Sequence, residues 1–527
     1  MMHALRDTNI VKEMTAQTCW AAIFSALGGI SFGIDYGYWS GMLDIAQFLK
    51  DFGVYNAETD SYYLPSSWQS VGSGPPMAGL AVGSLLAGAV GKRLGRIKTF
   101  RLASVISVVG IVIQSTAMHS YWQVTVGRIV TTLALGILAN AIPAYLAEIS
   151  PLSIRGTLIN CYQFFVSVGA ILVTTINWAM YQRTDQWAYR LVFVIQVVVP
   201  AFYIVGSYFV PESPRWLIGR GRIAEAEREL QTLRKSSRSE MISHEIQMIM
   251  EAEEENQRQF NSSWIECIRG TNLRRTLIAT GVQCLQQAQG SSFMGTYSVL
   301  FMKSIGVKDV YKISILNSVV MAVASGCAFY LPDRLGRRWI LICAALVLGV
   351  SMFTMSAVKD QGLAGNSTAA NTALAFIFIW QFAMSIGWSS CVWIVTAEVP
   401  TLQLREKTIT IATFLGFCVS ILVTFVSPYI QDPGFGNLGG RIGFLYGSFS
   451  FAAAVWTFLL YPETGFRSLE ELDELFQNKV SVWSFRKYQA NIYGVELGEV
   501  EEIAGEGAKV PEKMDKLSKG PLCSEAH

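Results

Sequence analysis

A carboxylate in the middle of an apolar run is the first residue to explain. Asp35 lies in Phe32-Gly-Ile-Asp35-Tyr-Gly37, within the first long apolar stretch of the chain. A charged side chain at bilayer depth costs at least a few kcal/mol and normally marks an ion or proton path. The competing account is a solvated residue near the outer helix end. Arg128, in Gly127-Arg128 of the fourth apolar stretch, is the expected partner. Protonating Asp35 would remove its attraction to Arg128 and let two halves rock. For Arg128 the alternative is structural packing.

Amides form the second group. Gln163, Gln286 and Gln287 also fall in apolar surroundings. A sugar hydroxyl both donates and accepts, and a side-chain amide answers both in fixed geometry. Gln283 and Gln287 are four apart with Gln286 beside them, so one helix face can present amides to a cavity. Interhelical hydrogen bonding is the rival, strongest for Gln283 and Gln289. Trp393 and Phe32 can stack on the apolar face of a pyranose, or simply pack.

The third group occurs twice. Arg93-Leu-Gly-Arg96, Glu148 with Arg155, and Pro211-Glu212-Ser213 recur as Arg334-Leu-Gly-Arg337, Glu398 with Arg405, and Pro462-Glu463-Thr464. A charged set duplicated between long apolar stretches points to a transporter of two equivalent six-helix halves. Arg93, Arg96, Glu148, Arg155, Asp333, Arg334, Arg337, Glu398 and Arg405 are expected to form a gate at one mouth, with Glu212, Arg215, Glu463 and Arg467 joining it. Positive-inside topology alone accounts for some of the arginines.

Composition fits such a scaffold. The 527 residues are 51% hydrophobic and 15% charged, against about 25% charged in soluble chains. Net charge of +2 leaves no footprint for nucleic acid. The nine cysteines are scattered without metal spacing, and the four histidines show no ligand spacing. No signal-peptide pattern opens the chain, so the first helix is expected to be an uncleaved insertion signal. Twelve stretches reach the roughly 20 residues a spanning helix needs: 18–41, 67–91, 99–118, 122–147, 157–180, 189–210, 274–302, 310–332, 338–358, 371–399, 407–430 and 440–461. Spans four, seven and ten carry polar residues and should score weakly by hydropathy alone.

Basic residues crowd the 2–3 loop (Lys92 to Arg101) and the 8–9 loop (Arg334 to Arg338), which places these loops and both termini in the cytoplasm. The organisation expected is a cytoplasmic N-terminus (1–17), a first half (18–210), a cytoplasmic linker of amphipathic helices (211–273), a second half (274–461) and a cytoplasmic C-terminus (462–527), disordered after about 488. The sequon at Asn366 falls outside and is open to glycosylation; that at Asn261 falls inside.

Over about residues 18–478 the chain resembles the sugar porter family of the major facilitator superfamily. Pro211-Glu-Ser-Pro-Arg-Trp-Leu217, Pro143-x-Tyr145-x-x-Glu148-x-x-Pro151-x-x-x-Arg155-Gly156, Gly387-Trp388 with Trp393 and Glu398, and Pro462-Glu-Thr-Gly carry the resemblance. It implies an all-α membrane protein of twelve transmembrane helices in two pseudo-symmetric halves. Gly436-Asn-Leu-Gly-Gly440 and Val455-Trp-Thr-Phe458 resemble fungal members, of the α-glucoside branch among others. Proton symporters of the family resemble this chain at Asp35. Departures are Lys92 where the family has Asp, although Asp333 keeps the acid in the second copy. Phe329 replaces an expected glycine. Ser292 stands where hexose carriers show Asn, and Gly416, Phe417 and Ser420 replace an Asn-Trp-x-x-Asn pattern.

The function expected is secondary active transport: proton-coupled uptake of a sugar by alternating access, across the plasma membrane, by a monomer in the lipid bilayer that needs no cofactor or metal. An uncoupled facilitator, a non-transporting nutrient receptor, and a carrier of a polyol, organic acid or secondary metabolite are the alternatives. No nucleophile–base pair or phosphate loop supports an enzyme.

Overall fold

The computed structural model describes residues 15–57, 60–150, 155–234, 242–243, 245–251, 263–307, 309–328, 331–360, 367–465 and 469–485. Asn366, the Asn261 sequon, Phe329, Arg467 and the tail after residue 485 lie outside these.

The chain folds into the twelve-helix bundle of the major facilitator fold. In the first half, α1 is Ala16–Met42, α2 Ser66–Leu94, α3 Arg96–Ser115, α4 Tyr121–Ile149, α5 Arg155–Met180 and α6 Trp187–Gly206. In the second half, α7 comprises Gly270–Gln286, a π turn over Gln287–Ser291, and Ser292–Ser304. Then come α8 Val310–Ala328, α9 Arg337–Asp360, α10 (Ser367–Ala383, a π turn Met384–Ser389, and Cys391–Glu398), α11 Arg405–Gln431 and α12 Ile442–Leu460. The halves meet along α2 with α11, α5 with α8, and α1 with the outer part of α7.

Eleven of the twelve are long and apolar enough to cross a membrane among the described residues; α7 is the exception. Spans four and ten, expected to score weakly, qualify, because their apolar stretches outweigh their few polar groups. In α7 the amides are concentrated at a break: Gly290 has φ 94 inside the π turn, a left-handed conformation that glycine adopts without steric cost. A buried proline, Pro76, lies inside α2.

The linker begins with two short helices, Pro214–Gly219 and Ile223–Leu233. Leu217, Ile218, Ala226 and Leu230 pack with Ile242 and Ile246 into a small core of their own. Its polar face is solvated, as the amphipathic pattern requires. At the end of the bundle away from the linker, the α1–α2 connection carries a helix, Ala46–Phe52, and a hairpin pairing Val54–Asn56 with Ser61–Tyr63.

Candidate functional site

The break in α7 gathers the amides. Gln286 Nε2 donates to the Trp388 carbonyl in the π turn of α10 at 2.9 Å. Gln287 Nε2 donates to Gln286 Oε1 at 3.2 Å, and Ser292 Oγ donates to Gln287 Oε1 at 2.5 Å. Ser292 also meets Ser420 of α11 at 2.8 Å. Gln286, Gln287 and Ser292 therefore form one chain of donors and acceptors, with Ser420 at its end. Two hydroxyls occupy the positions at which the resemblance expects amides, so the cluster keeps its hydrogen-bonding character in less volume.

The other candidates lie apart from this chain. Gln163 on α5 is exposed, and its amide bonds no described residue. Phe32 is half-buried, and Trp393 is 49% exposed. Gln283 donates to Thr396 of α10 at 3.2 Å, and Gln289 to the Leu285 carbonyl at 3.2 Å. Gln283 thus makes the interhelical bond of the rival account, whereas Gln289 bonds within its own helix and its buried Oε1 has no partner.

Asp35 is half-buried on α1, and its Oδ1 is buried without a hydrogen-bond partner. The expected ion pair with Arg128 does not form. Arg128 is 2% exposed, and its Nη1 donates to the Gly72 carbonyl at 2.5 Å. Its guanidinium stands 3.7 Å from the Trp39 ring centroid. The reason lies in α2. Gly72 is four residues before Pro76, which has no N–H to close that helical bond. A carbonyl orphaned at membrane depth must find another donor, and Arg128 supplies it. The indole face adds a cation–π contact.

The duplicated charges meet at the linker end. Arg96 grips Glu148 with two bonds, Nε to Oε2 at 3.0 Å and Nη2 to Oε1 at 2.6 Å. Arg337 Nη2 reaches Glu398 Oε1 at 3.3 Å. Each pair joins two helices of its own half. Glu212 and Glu463 have a role that sequence reasoning did not assign: they cap helices. Glu212 Oε1 accepts from the Arg96 backbone N–H at 2.8 Å, and Glu463 Oε1 from that of Arg337 at 2.9 Å. A carboxylate at a helix N-terminus satisfies orphan donors and complements the dipole. The preceding glycines make room: Gly95 (φ 91) and Gly336 (φ 85) would each bring a Cβ to 2.6 and 2.5 Å of that carboxylate. Burial pushes Glu212 up, and its backbone donors oppose the rise. A glycine before each Arg, at like offsets from Pro-Glu, was the available signal.

Of the remaining charges, Arg93 and Arg334 are exposed and Arg405 is half-buried. The side chains of Arg155 and Asp333 lie outside the described residues. Lys92 is exposed, and its carbonyl accepts from Trp216 Nε1 at 3.0 Å and Arg220 Nη2 at 2.8 Å; Arg220 also reaches the Arg93 carbonyl at 3.1 Å.

The opposite end is tied differently, by contacts between halves. Lys303 Nζ donates to Asp44 Oδ1 at 2.5 Å. Ser66 bonds Asp432, and Ser70 Oγ donates to the Phe425 carbonyl at 2.6 Å. Tyr311 donates to the Gly41 carbonyl at 3.2 Å and stacks on Tyr181 with centroids 4.5 Å apart. This end is closed. Sequence reasoning missed these residues, since none belongs to the repeated motifs.

Comparison with known proteins follows this geometry. The family described as "Sugar (and other) transporter" matches residues 21–476. The major facilitator-type transporter ecdD of Aspergillus rugulosus is 29% identical, with 94% of each chain covered. The low-affinity glucose transporter HXT3 of Saccharomyces cerevisiae is 28% identical, over 91% of this chain and 85% of that one. Among solved structures, the inward-open xylose transporter XylE of E. coli superposes with TM-score 0.71 at 22% identity, covering 86% of this chain and 98% of that one. The same transporter, titled a proton:xylose symporter and bound to 6-bromo-6-deoxy-D-glucose, gives 0.69 at 21%, covering 88% and 99%. At these identities the superpositions speak for the fold.

Proposed function

Since the chain belongs to the sugar (and other) transporter family, we propose that it takes up a sugar together with protons by alternating access. The observation that carries the reading is the chain Gln286–Gln287–Ser292–Ser420, set at the broken, amide-rich turn of α7. Such a break is where backbone and side chains can turn to a ligand in a membrane. Its groups bond one another here and are free to exchange those bonds for sugar hydroxyls. Relatives named as glucose transporters support this substrate class.

Asp35 is the proton site in this reading: a carboxyl oxygen buried without a partner is ready to take a proton. Because Arg128 is engaged by Gly72, coupling runs through the field of Arg128 rather than through a broken ion pair. The linker end, rich in arginine, is cytoplasmic by the positive-inside rule, and the closed end faces outward, so the structure is read as inward-facing. Residues 18–210 and 274–461 are the rocking units, the linker at 211–273 and both termini are cytoplasmic, and the carrier works as a monomer in the plasma membrane.

The test is uptake by a transporter-deficient yeast over a panel of sugars at two external pH values. Asp35→Asn is expected to keep exchange across the membrane and abolish accumulation against a gradient; undiminished accumulation removes Asp35 from the mechanism. A second reading, a carrier of a non-sugar small molecule, draws on the hydroxyls at Ser292 and Ser420 in place of amides. Absence of uptake or competition by every sugar in the panel would decide for it.

A further inference from the structure

Arg128 has a second acceptor that it does not use. Its Nη1 holds the Gly72 carbonyl, while its Nε is buried with no partner. Asp35 Oδ1 is buried with no partner as well, and Asp35 lies within the field of this guanidinium. An arginine carries five donors in one planar fork, so the carbonyl and the carboxylate compete for a single group. An unfilled donor and an unfilled acceptor at membrane depth are both costly, and a second position of the arginine fills both.

Aromatic faces connect the two acceptors. Asp35, Tyr38 and Trp39 stand three and four residues apart on α1, which puts them on one face of that helix. The guanidinium is 3.7 Å from the Trp39 ring centroid and 5.3 Å from that of Tyr38. Trp39 Nε1 donates to Ser73 Oγ at 2.9 Å, which fixes the indole beside Gly72. A cation on these rings keeps their attraction as it moves along them. The other groups facing the cluster are neutral: Tyr121 from α4, Tyr297 from α7, Gln196 from α6, Gln114 from α3, Asn177 from α5 and Ser73 from α2. Phenols titrate far above the range in which a carboxyl does.

Pro76 decides which acceptor wins. Any other residue there would offer an N–H to the Gly72 carbonyl and leave it no need of Arg128. A bend in the helix does not account for this proline. Pro75 already interrupts the same turn, and α8, the counterpart of α2 in the second half, carries no proline over Val310–Ala328. We propose that Pro76 is a positioning residue for the proton site: it withholds an N–H so that the Gly72 carbonyl serves as a second seat for Arg128, and the guanidinium alternates between that carbonyl and Asp35. With Arg128 on Gly72, Asp35 holds its proton; with Arg128 on Asp35, the carboxylate is stabilised and the proton leaves. This rests on the reading of Asp35 as the proton site.

The experiment measures accumulation of glucose, xylose or maltose, whichever the unaltered protein carries fastest, in transporter-deficient yeast over a series of external pH values. Pro76→Ala and Pro76→Ser each supply the missing N–H to Gly72, so Arg128 settles on Asp35. The pH at which accumulation is half-maximal should then fall by roughly one to two units, the effect of one buried charge-assisted bond. Pro75→Ala relieves the same turn but leaves Gly72 without its N–H, and its midpoint should stay with that of the unaltered protein. A midpoint does not depend on how much protein reaches the surface, so a poorly folding variant can still be read. Trp39→Phe keeps a ring but loses the bond to Ser73; as an independent variant it should move the midpoint in the same direction by less. If the Pro76 variants keep the unaltered midpoint, if Pro75→Ala moves it equally, or if Trp39→Phe moves it the other way, the second seat is wrong, while loss of accumulation in Asp35→Asn still supports the proton site. If Asp35→Asn accumulates undiminished, the proton site falls and the role of Pro76 with it.

Discussion

At the linker end, Arg96 with Glu148 and Arg337 with Glu398 tie helices of one half, whereas at the far end Lys303 with Asp44 and Ser66 with Asp432 tie one half to the other. The two sets also differ in burial. The side chains of Arg96 and Glu148 are 19% and 11% exposed, while Lys303 is 50% exposed. Ties inside a half can persist while the halves rock, and so can be strong. Ties between halves must be made and broken in each cycle, and a pair whose lysine stays half in water above a buried Asp44 suits that use. The comparison also explains the sequence pattern. A contact internal to a repeat is copied with the repeat; a contact between repeats is not.

The largest effect should come from the glycines behind the caps. Gly95→Ala and Gly336→Ala force a side chain into φ 91 and φ 85 and press a Cβ onto the capping carboxylate. The left-handed conformation and the lost cap together should cost about 2–4 kcal/mol. Thermal unfolding of the purified protein should begin several degrees lower for each variant; an unchanged melt would show that the caps do not hold α3 and α9 in place.

Glu148→Gln and Glu398→Gln come next. Each leaves a partly buried arginine without its carboxylate, at about 1–3 kcal/mol. Because each pair is internal to its half, the double variant should equal the sum of the singles within about 0.5 kcal/mol. A large non-additive term would mean that the two clusters meet across the inner mouth.

Asp44→Asn and Lys303→Met should each shift the closed population less than about fivefold, and the double variant should shift it no further than either single one. Labelling of a cysteine at position 69, through Gln69→Cys, reads that population from outside.

The smallest effect is on pH. Burial raises Asp44 above its ordinary carboxylate value, with Lys303 opposing. In the open state the same carboxyl meets water and titrates near its ordinary value. The closed state therefore binds its proton at the higher pH, and lowering the pH through that window favours closure. Labelling at position 69 should slow on mild acidification and lose that slope in Asp44→Asn.

Depth in the membrane was legible in the sequence, and direction around the helix was not. Spans, the duplicated pairs and the amides of α7 all follow from residue type and spacing. The Asp35–Arg128 pair did not form, because a proline on a third helix freed a carbonyl that Arg128 reaches first. Nothing near Asp35 or Arg128 in the chain encodes that. The same applies to Ser420, which joins Ser292 from 128 residues away, and to the outer ties, which have no counterpart in the other repeat.

The linker's hold on the first half has a consequence for how this protein tolerates change. Trp216 and Arg220 take carbonyl oxygens of Lys92 and Arg93, in the last turn of α2, where helical carbonyls lack partners. A carbonyl is the part of a residue that substitution leaves in place. The docking address is therefore written in the main chain and does not depend on which side chain stands at position 92, here a lysine. Variation is free on one side of the contact and closed on the other, where the indole and guanidinium read it.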